Sequence, residues 1–394
     1  MRTILKKLAL KLPPIKRLIA QRDLLLIKFE SASAGERCER NKHRPYVTLN
    51  AVPSISKGSI VDDKHIVERL TKAYKSSRSN QYGKDSMWSE LFNTHHRTAH
   101  DIFMSGDTEK ASQILANPAS NNMFYGFDEL CEHFTPTWLN EPQALVNICQ
   151  DNLIRLAEAF GAFRSESPEH SLCLEKVDTS TDEIIQAIED ALGAEIVFPD
   201  IYPDAVGAKS CRGTVTYRST QALYLPFRLS QIINVDLNAI TQPRICEIGA
   251  GLGRTALFAN QLGLKDYTLV DIPMTTISQG YYLMRCLGED AVVLPGEKRK
   301  SREQIRLMHS EDFFASDEKY DVIVNVDSLT ELGNKLATEY LRKISEITPY
   351  FLSINHECNP VRVIDLLKEL EKPCNSSRFP YWMRNGYVEE LIRF

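Results

Sequence analysis

The chain has 394 residues, 43% hydrophobic and 25% charged, with a net charge of −5. That length exceeds what one hydrophobic core ordinarily serves, so two domains or one domain with a large extension is expected, and the composition excludes general disorder. The negative balance argues against a nucleic-acid partner, and the nine cysteines, without a C-x-x-C pair, suit reduced thiols in the cytoplasm rather than a disulfide framework or a zinc site.

The first element is the exception in charge. Between Met1 and Glu30 eight basic residues, Lys6, Lys7, Lys11, Lys16 and Arg17 among them, interleave with Ile and Leu, and Pro13 and Pro14 divide the stretch. It reads as a basic amphipathic segment suited to peripheral contact with the inner face of a membrane, or to packing on its own protein or a partner subunit. Its apolar runs fall well short of the roughly 20 residues needed to span a bilayer. Residues 31–58 carry Ser, Gly, Asn and Pro with little periodicity and read as a linker, closing a first region at 1–58.

Residues 59–230 read as a mostly helical cap over the substrate. Ile66, Val67, Leu70, Ala73 and Tyr74 recur at helical spacing behind Asp62 and Asp63, which complement the positive helix start. Helical blocks follow from Ser86 to Phe103, Ala111 to Leu115 and Leu145 to Phe160. Ser180 and Glu183 make a capping box, and Gly193 supplies the stop. His96 and His100 have a zinc-ligand spacing, but no carboxylate or cysteine nearby completes a set, so they read as core or surface histidines. Pro199, Pro203 and Gly207 make the next stretch irregular, and a helix resumes at Ser219. Arg212, Tyr217, Arg218 and Gln221, just before the next domain, are candidates for holding a cofactor carboxylate or the substrate, or for interdomain hydrogen bonds.

Residues 231–394 carry the chemistry. Arg244 to Asp271 reads as a strand, a turn with Gly249, Gly251 and Gly253, an amphipathic helix and a second strand ending on an acid, the layout of a nucleotide-cofactor half-site. A dinucleotide fingerprint needs glycine where Arg254 stands, which disfavours NAD. Glu247 at the strand end instead suits a cofactor with a cationic amino-acid end, S-adenosylmethionine, with Asp271 and Ile272 placed at its ribose. A third strand, Ile305–Met308, leads to Ser310, Glu311 and Asp312 at the expected adenine position. A fourth, Val322–Val326, ends in Asn325, Asp327 and Ser328, and a fifth, Phe351–Ile354, in Asn355, His356 and Glu357. Strand and helix in alternation predict an α/β fold with a Rossmann-like parallel sheet whose polar strand ends converge on one crevice.

Within that crevice His356 is the first candidate for general base, since its ordinary pKa lies near neutrality, with Asp327 and Glu331 as alternatives. These three residues are also the candidates to hold Mg²⁺. Arg378, Tyr381, Trp382 and Arg384 suit sugar faces and phosphates, although a C-terminal strand packed on the sheet accounts equally well for the aromatics.

The stretches EIGAGLGRTALFA, VDIP, NVDSLTEL, SINHE and RFPYWMRNGYVEEL, with SCRGTVTYRSTQALY and FYGFDEL upstream, resemble the sugar O-methyltransferase family associated with bacterial surface polysaccharide synthesis, over roughly residues 85–394. The resemblance implies a Rossmann-like catalytic domain, S-adenosylmethionine as methyl donor and a sugar or glycan hydroxyl as acceptor. Ala250 and Leu252 stand where related sequences often carry Gly and Tyr. Methyl transfer to a non-sugar small molecule, and a non-catalytic scaffold for glycosyltransferases, are the alternatives.

Overall fold

The computed structural model describes residues 47–59, 61–77, 87–165 and 177–394, with the isolated positions Gln21 and Leu25. Apart from those two positions, the basic segment expected at 1–30 lies outside the described residues. Five strands belong to the N-terminal half: β1 (Val47–Leu49), β2 (Pro53–Lys57), β3 (Val177–Thr179), β4 (Pro203–Ser210) and β5 (Gly213–Thr216). β1 pairs with β3, while β2, β4 and β5 form a small antiparallel sheet. β1 and β2 fall in the stretch read as a linker, and β3, β4 and β5 in the region read as mostly helical. They are short pairings between distant segments, for which sequence carries no periodic signal.

The C-terminal half contains β6 (Ile245–Ile248), β7 (Tyr267–Asp271), β8 (Val292–Val293), β9 (Ile305–His309), β10 (Val322–Val326), β11 (Tyr350–His356), β12 (Asn375–Pro380) and β13 (Tyr387–Arg393). They form one sheet in the order β12-β13-β11-β10-β6-β7-β9-β8. β8, β9, β7, β6, β10 and β11 run parallel, and β13 is antiparallel to both neighbours. The chain moves outward through β7 in one direction and through β10 in the other, so the topological switch point lies between β6 and β10, where open α/β sheets bind ligands. The fold is α/β and Rossmann-like, with an antiparallel addition at one edge.

β13 is the C-terminal strand packed on the sheet, and it carries Glu389 and Glu390 within its apolar run. Glu389 is fully buried, where it accepts hydrogen bonds from Tyr224 Oη (2.7 Å) and Arg228 Nε (2.7 Å). Both donors lie on the helix Tyr217–Val235, which packs the N-terminal half onto the sheet. That helix runs through the boundary expected at residue 230 and contains Pro226.

One continuous core extends from Leu49 through Phe103, Phe124, Ile188, Leu223 and Leu252 to Leu352 and Leu391. A second core, with Cys246, Phe313, Tyr340, Leu341 and Phe351, fills the other face under the helices Ser310–Ala315, Asn334–Ile347 and Val363–Lys368. The N-terminal half therefore covers one face of the sheet. Burying side chains of this size is worth about 1.5–3 kcal/mol each, and here the two halves share them.

The capping box is present: Ser180 Oγ accepts from Glu183 N (3.2 Å), and Glu183 Oε2 from Ser180 N (2.8 Å). His96 is buried within a π-helical turn, Phe92–His96, and its Nε2 meets the Tyr125 carbonyl at 2.9 Å; burial lowers its pKa to about 4. His100 Nδ1 instead meets Tyr74 Oη at 2.8 Å, so the two rings have separate partners. Among the described residues no helix is long and apolar enough to cross a membrane.

Candidate active site

A cavity of about 790 Å³ opens at the carboxyl ends of β6, β7 and β10, a volume within the range of small-molecule sites. Its floor is the turn after β6. Gly249 has φ +69, and an added Cβ would stand 2.0 Å from Ser328 Oγ, so the turn requires glycine both for its left-handed backbone and for its contact with the end of β10. Gly251 lies beneath the Phe127 carbonyl, which an added Cβ would meet at 3.5 Å. Gly253 does not line the cavity: it packs behind the turn against Leu269 and Leu283, where close approach replaces ligand contact as the reason for glycine.

Two buried carboxyls flank this turn. Glu247 accepts from Tyr267 Oη at 3.0 Å, and burial pushes its pKa up to about 8. Asp271 accepts from Ile272 N (2.8 Å) and Gln279 Nε2 (2.8 Å); burial raises it to about 7 against those hydrogen bonds. Gln279 Nε2 also donates to the Gly251 carbonyl (3.0 Å), fastening the glycine turn to the end of β7. Eight residues beyond Asp271 in a buried helix, Gln279 had no motif to reveal it. Among the described residues Gln279 Oε1 is buried without a partner.

The N-terminal half supplies the roof. Gly126 and Phe127 of the FYGFDEL stretch line the cavity, and the next two residues brace it. Asp128, fully buried on its side chain, pairs with Arg254, and Glu129 accepts from Arg218 Nε at 3.1 Å. Arg254, the residue that breaks the dinucleotide spacing, thus reaches across to the roof, its guanidinium 5.8 Å from the Tyr282 ring centroid. Trp88, which the sequence did not single out, donates from Nε1 to Glu331 Oε2 (3.3 Å).

At the far end Asp327, Glu331, Tyr381 and Arg384 come together with Arg218 and Gln221. Asp327 sits at φ +53 and accepts from Tyr387 Oη (2.6 Å) and Arg384 Nη1 (3.1 Å). Burial, reinforced by the neighbouring Asp327 charge, raises Glu331 to about 8.

Several expected site residues lie elsewhere. His356 is outside the cavity wall: the antiparallel register sets Tyr387 opposite it, their ring centroids are 4.8 Å apart, and Tyr387 rather than His356 reaches Asp327. Asn325 is fully buried one layer below, donating to the Ile248 carbonyl (2.8 Å) and accepting from Asn355 Nδ2 (2.8 Å), so it braces β6, β10 and β11. Asp312 is exposed because helical rotation turns it outward, leaving Ser310, Glu311 and Phe314 at the cavity. Arg212 pairs with Glu189 and Glu195; Arg378 pairs with Glu357 and Glu390, which occupies both Arg378 and Glu357 outside the cavity. Tyr217 packs into the core rather than lining the site. With His356 apart, Asp327, Glu331 and His356 do not converge on a common ion, and among the described residues no cluster of three His, Cys, Asp or Glu side chains is arranged to hold a metal.

No family model matches the chain, and no curated protein matches it. Among solved structures it is similar to magnesium protoporphyrin IX methyltransferase from Synechocystis PCC 6803 with bound SAM: 13% identity, 46% of this chain and 86% of that one covered, TM-score 0.32. It is also similar to a ribosomal protein L11 methylase from Lactobacillus delbrueckii subsp. bulgaricus, at 13% identity, 45% and 78% coverage, and a TM-score of 0.31. The fold assignment rests on the strand order and the glycine turn of this chain.

Proposed function

We propose that the protein is an S-adenosylmethionine-dependent O-methyltransferase acting on a sugar hydroxyl. The observation that carries the reading is a single cavity joining a glycine cradle, flanked by Glu247 and Asp271, to a carboxylate, arginine and aromatic cluster at Asp327, Glu331, Arg384, Trp88 and Tyr381. The cradle fits the cofactor: Gly249 and Gly251 clear backbone for close approach, Glu247 stands where a cationic amino-acid end is received, and Asp271 offers acceptor oxygens to ribose hydroxyls. When bound, S-adenosylmethionine supplies a methyl group activated on a sulfonium.

The chain's own residues do the remaining work. Glu331 takes the general-base role: it lines the cavity, its pKa near 8 makes its carboxylate a competent base, and Trp88 fixes Oε2. Asp327, held by Arg384 and Tyr387, orients a neighbouring hydroxyl and keeps Glu331 basic by like-charge repulsion. Trp88 and Tyr381 offer apolar faces to a pyranose ring. Phe127 and Gly126 close the roof and exclude water from the cradle.

Titration calorimetry with S-adenosylmethionine, followed by transfer of labelled methyl to a panel of sugars and polysaccharide intermediates, tests this. Absence of cofactor binding at millimolar concentration would favour a scaffold, whereas binding with transfer only to non-sugar acceptors would retain the methyltransferase and remove the sugar.

A further inference from the structure

Three arginines stand in the cavity wall, and they differ in what they leave free. Arg384 directs Nη1 to Asp327 and Nη2 to Tyr387 Oη. Arg254 is 13% exposed on its side chain and held by Asp128. Arg218 is 32% exposed on its side chain and donates to Glu129 through Nε alone. Among the described residues neither terminal nitrogen of Arg218 has a hydrogen-bond partner, so the two-pronged end of its guanidinium is open. One turn further on, Gln221 Nε2 is buried with no partner among the described residues. Positions 218, 221, 222 and 225 all line the cavity, the i, i+3, i+4, i+7 stripe of the helix Tyr217–Val235, so both side chains belong to the helix face that borders one space.

We propose that Arg218 and Gln221 form a seat for an anionic group of the bound ligand, a carboxylate or phosphate received bidentately by the Arg218 fork with Gln221 Nε2 as a further donor. The inference rests on the methyltransferase reading above and goes beyond it by naming a charge that the ligand must carry. A planar fork with two open prongs matches the two oxygens of such a group, and a lysine in its place offers a point charge without that match. Glu129 holds the fork by its Nε edge and thereby presents the other edge to the cavity; it is a positioning residue. Two sources bring this chemistry: the methionyl carboxylate of the cofactor, or an acidic group on the acceptor sugar.

Calorimetry on the full-length protein separates them. S-adenosylhomocysteine carries the carboxylate and 5′-methylthioadenosine lacks it. If the seat serves the cofactor, Arg218→Lys, which keeps a cation beside Glu129, weakens S-adenosylhomocysteine at least about tenfold and leaves methylthioadenosine within about twofold. If it serves the acceptor, S-adenosylhomocysteine binding is unchanged. In that case glucuronate or glucose 1-phosphate binds the wild-type complex more tightly than glucose does, and Arg218→Lys erases the preference. Gln221→Leu, which leaves the Arg218–Glu129 pair untouched, shifts the same affinity in the same direction by a smaller factor. Unaltered melting temperature in both variants keeps the comparison free of misfolding. Wild-type binding of S-adenosylhomocysteine with no change in any of these affinities overturns the seat alone; failure of the wild type to bind S-adenosylhomocysteine overturns the seat and the methyltransferase reading together.

Discussion

Replacing Glu331 with Gln removes the proposed proton acceptor while keeping its volume and the carbonyl oxygen that Trp88 Nε1 can still reach. With a pKa of about 8, roughly a tenth of the wild-type carboxyl is ionised at pH 7. Turnover at saturating acceptor is therefore expected to rise about tenfold per pH unit below pH 7 and to level off above about pH 8. In Glu331→Gln the limb vanishes and turnover falls by about 10²- to 10⁴-fold, the usual contribution of a positioned base. Cofactor affinity should stay within about twofold, because the cradle is formed by Glu247, the glycine turn and Asp271. The assay is formation of S-adenosylhomocysteine with an identified sugar acceptor between pH 5.5 and 9. A variant that kept wild-type turnover and the same rising limb would refute Glu331 as the base; loss of cofactor binding would show instead that the substitution disturbs the cradle.

Gly249→Ala should abolish cofactor binding measured by calorimetry, because the Cβ would overlap Ser328 Oγ at 2.0 Å on a backbone at φ +69; wild-type affinity would remove the close-approach argument. Asp128→Asn leaves the buried Arg254 guanidinium without its carboxylate, and a loss of about 3–5 kcal/mol is expected from urea unfolding, with a change under about 1 kcal/mol contradicting it. Glu247 (about 8), Asp271 (about 7) and Glu331 (about 8) have folded pKa values above their unfolded ones. Between about pH 4 and 8 the folded state therefore holds protons that the unfolded chain has released, so these groups lower the stability of the ligand-free protein as pH rises through that window. Thermal melting that rose steadily across the window would count against these shifts. Exhaustive EDTA treatment should leave methyl transfer intact, since Asp327 is engaged by Arg384 and Tyr387 and His356 lies apart; activity lost and then restored by Mg²⁺ would return the carboxylate pair to metal binding.

The sequence determined what is local. The glycine turn, the alternation of strand and helix from Ile245 onward, the capping box at Ser180 and the acids closing β6 and β7 all depend on neighbours a few residues away, and all are found in the structure. Residue type and place along the chain also put Asp327, Glu331, Arg218, Gln221 and Tyr381 among the candidates, and all five line the cavity. They could not sort these from Asp312, Asn325, His356, Arg212, Tyr217, Glu357 and Arg378, because a polar residue at a strand end serves a ligand or a neighbouring element according to what the fold brings opposite it. Tertiary structure made that choice. The antiparallel insertion of β13 sets Tyr387 against His356, and gives Arg378 to Glu357 and Glu390. The roof carries Trp88 to Glu331, 243 residues away in sequence, and Asp128 to Arg254. Periodicity reports which face of an element is apolar; the residues that meet across the cavity are set by register and by packing between segments far apart in the chain.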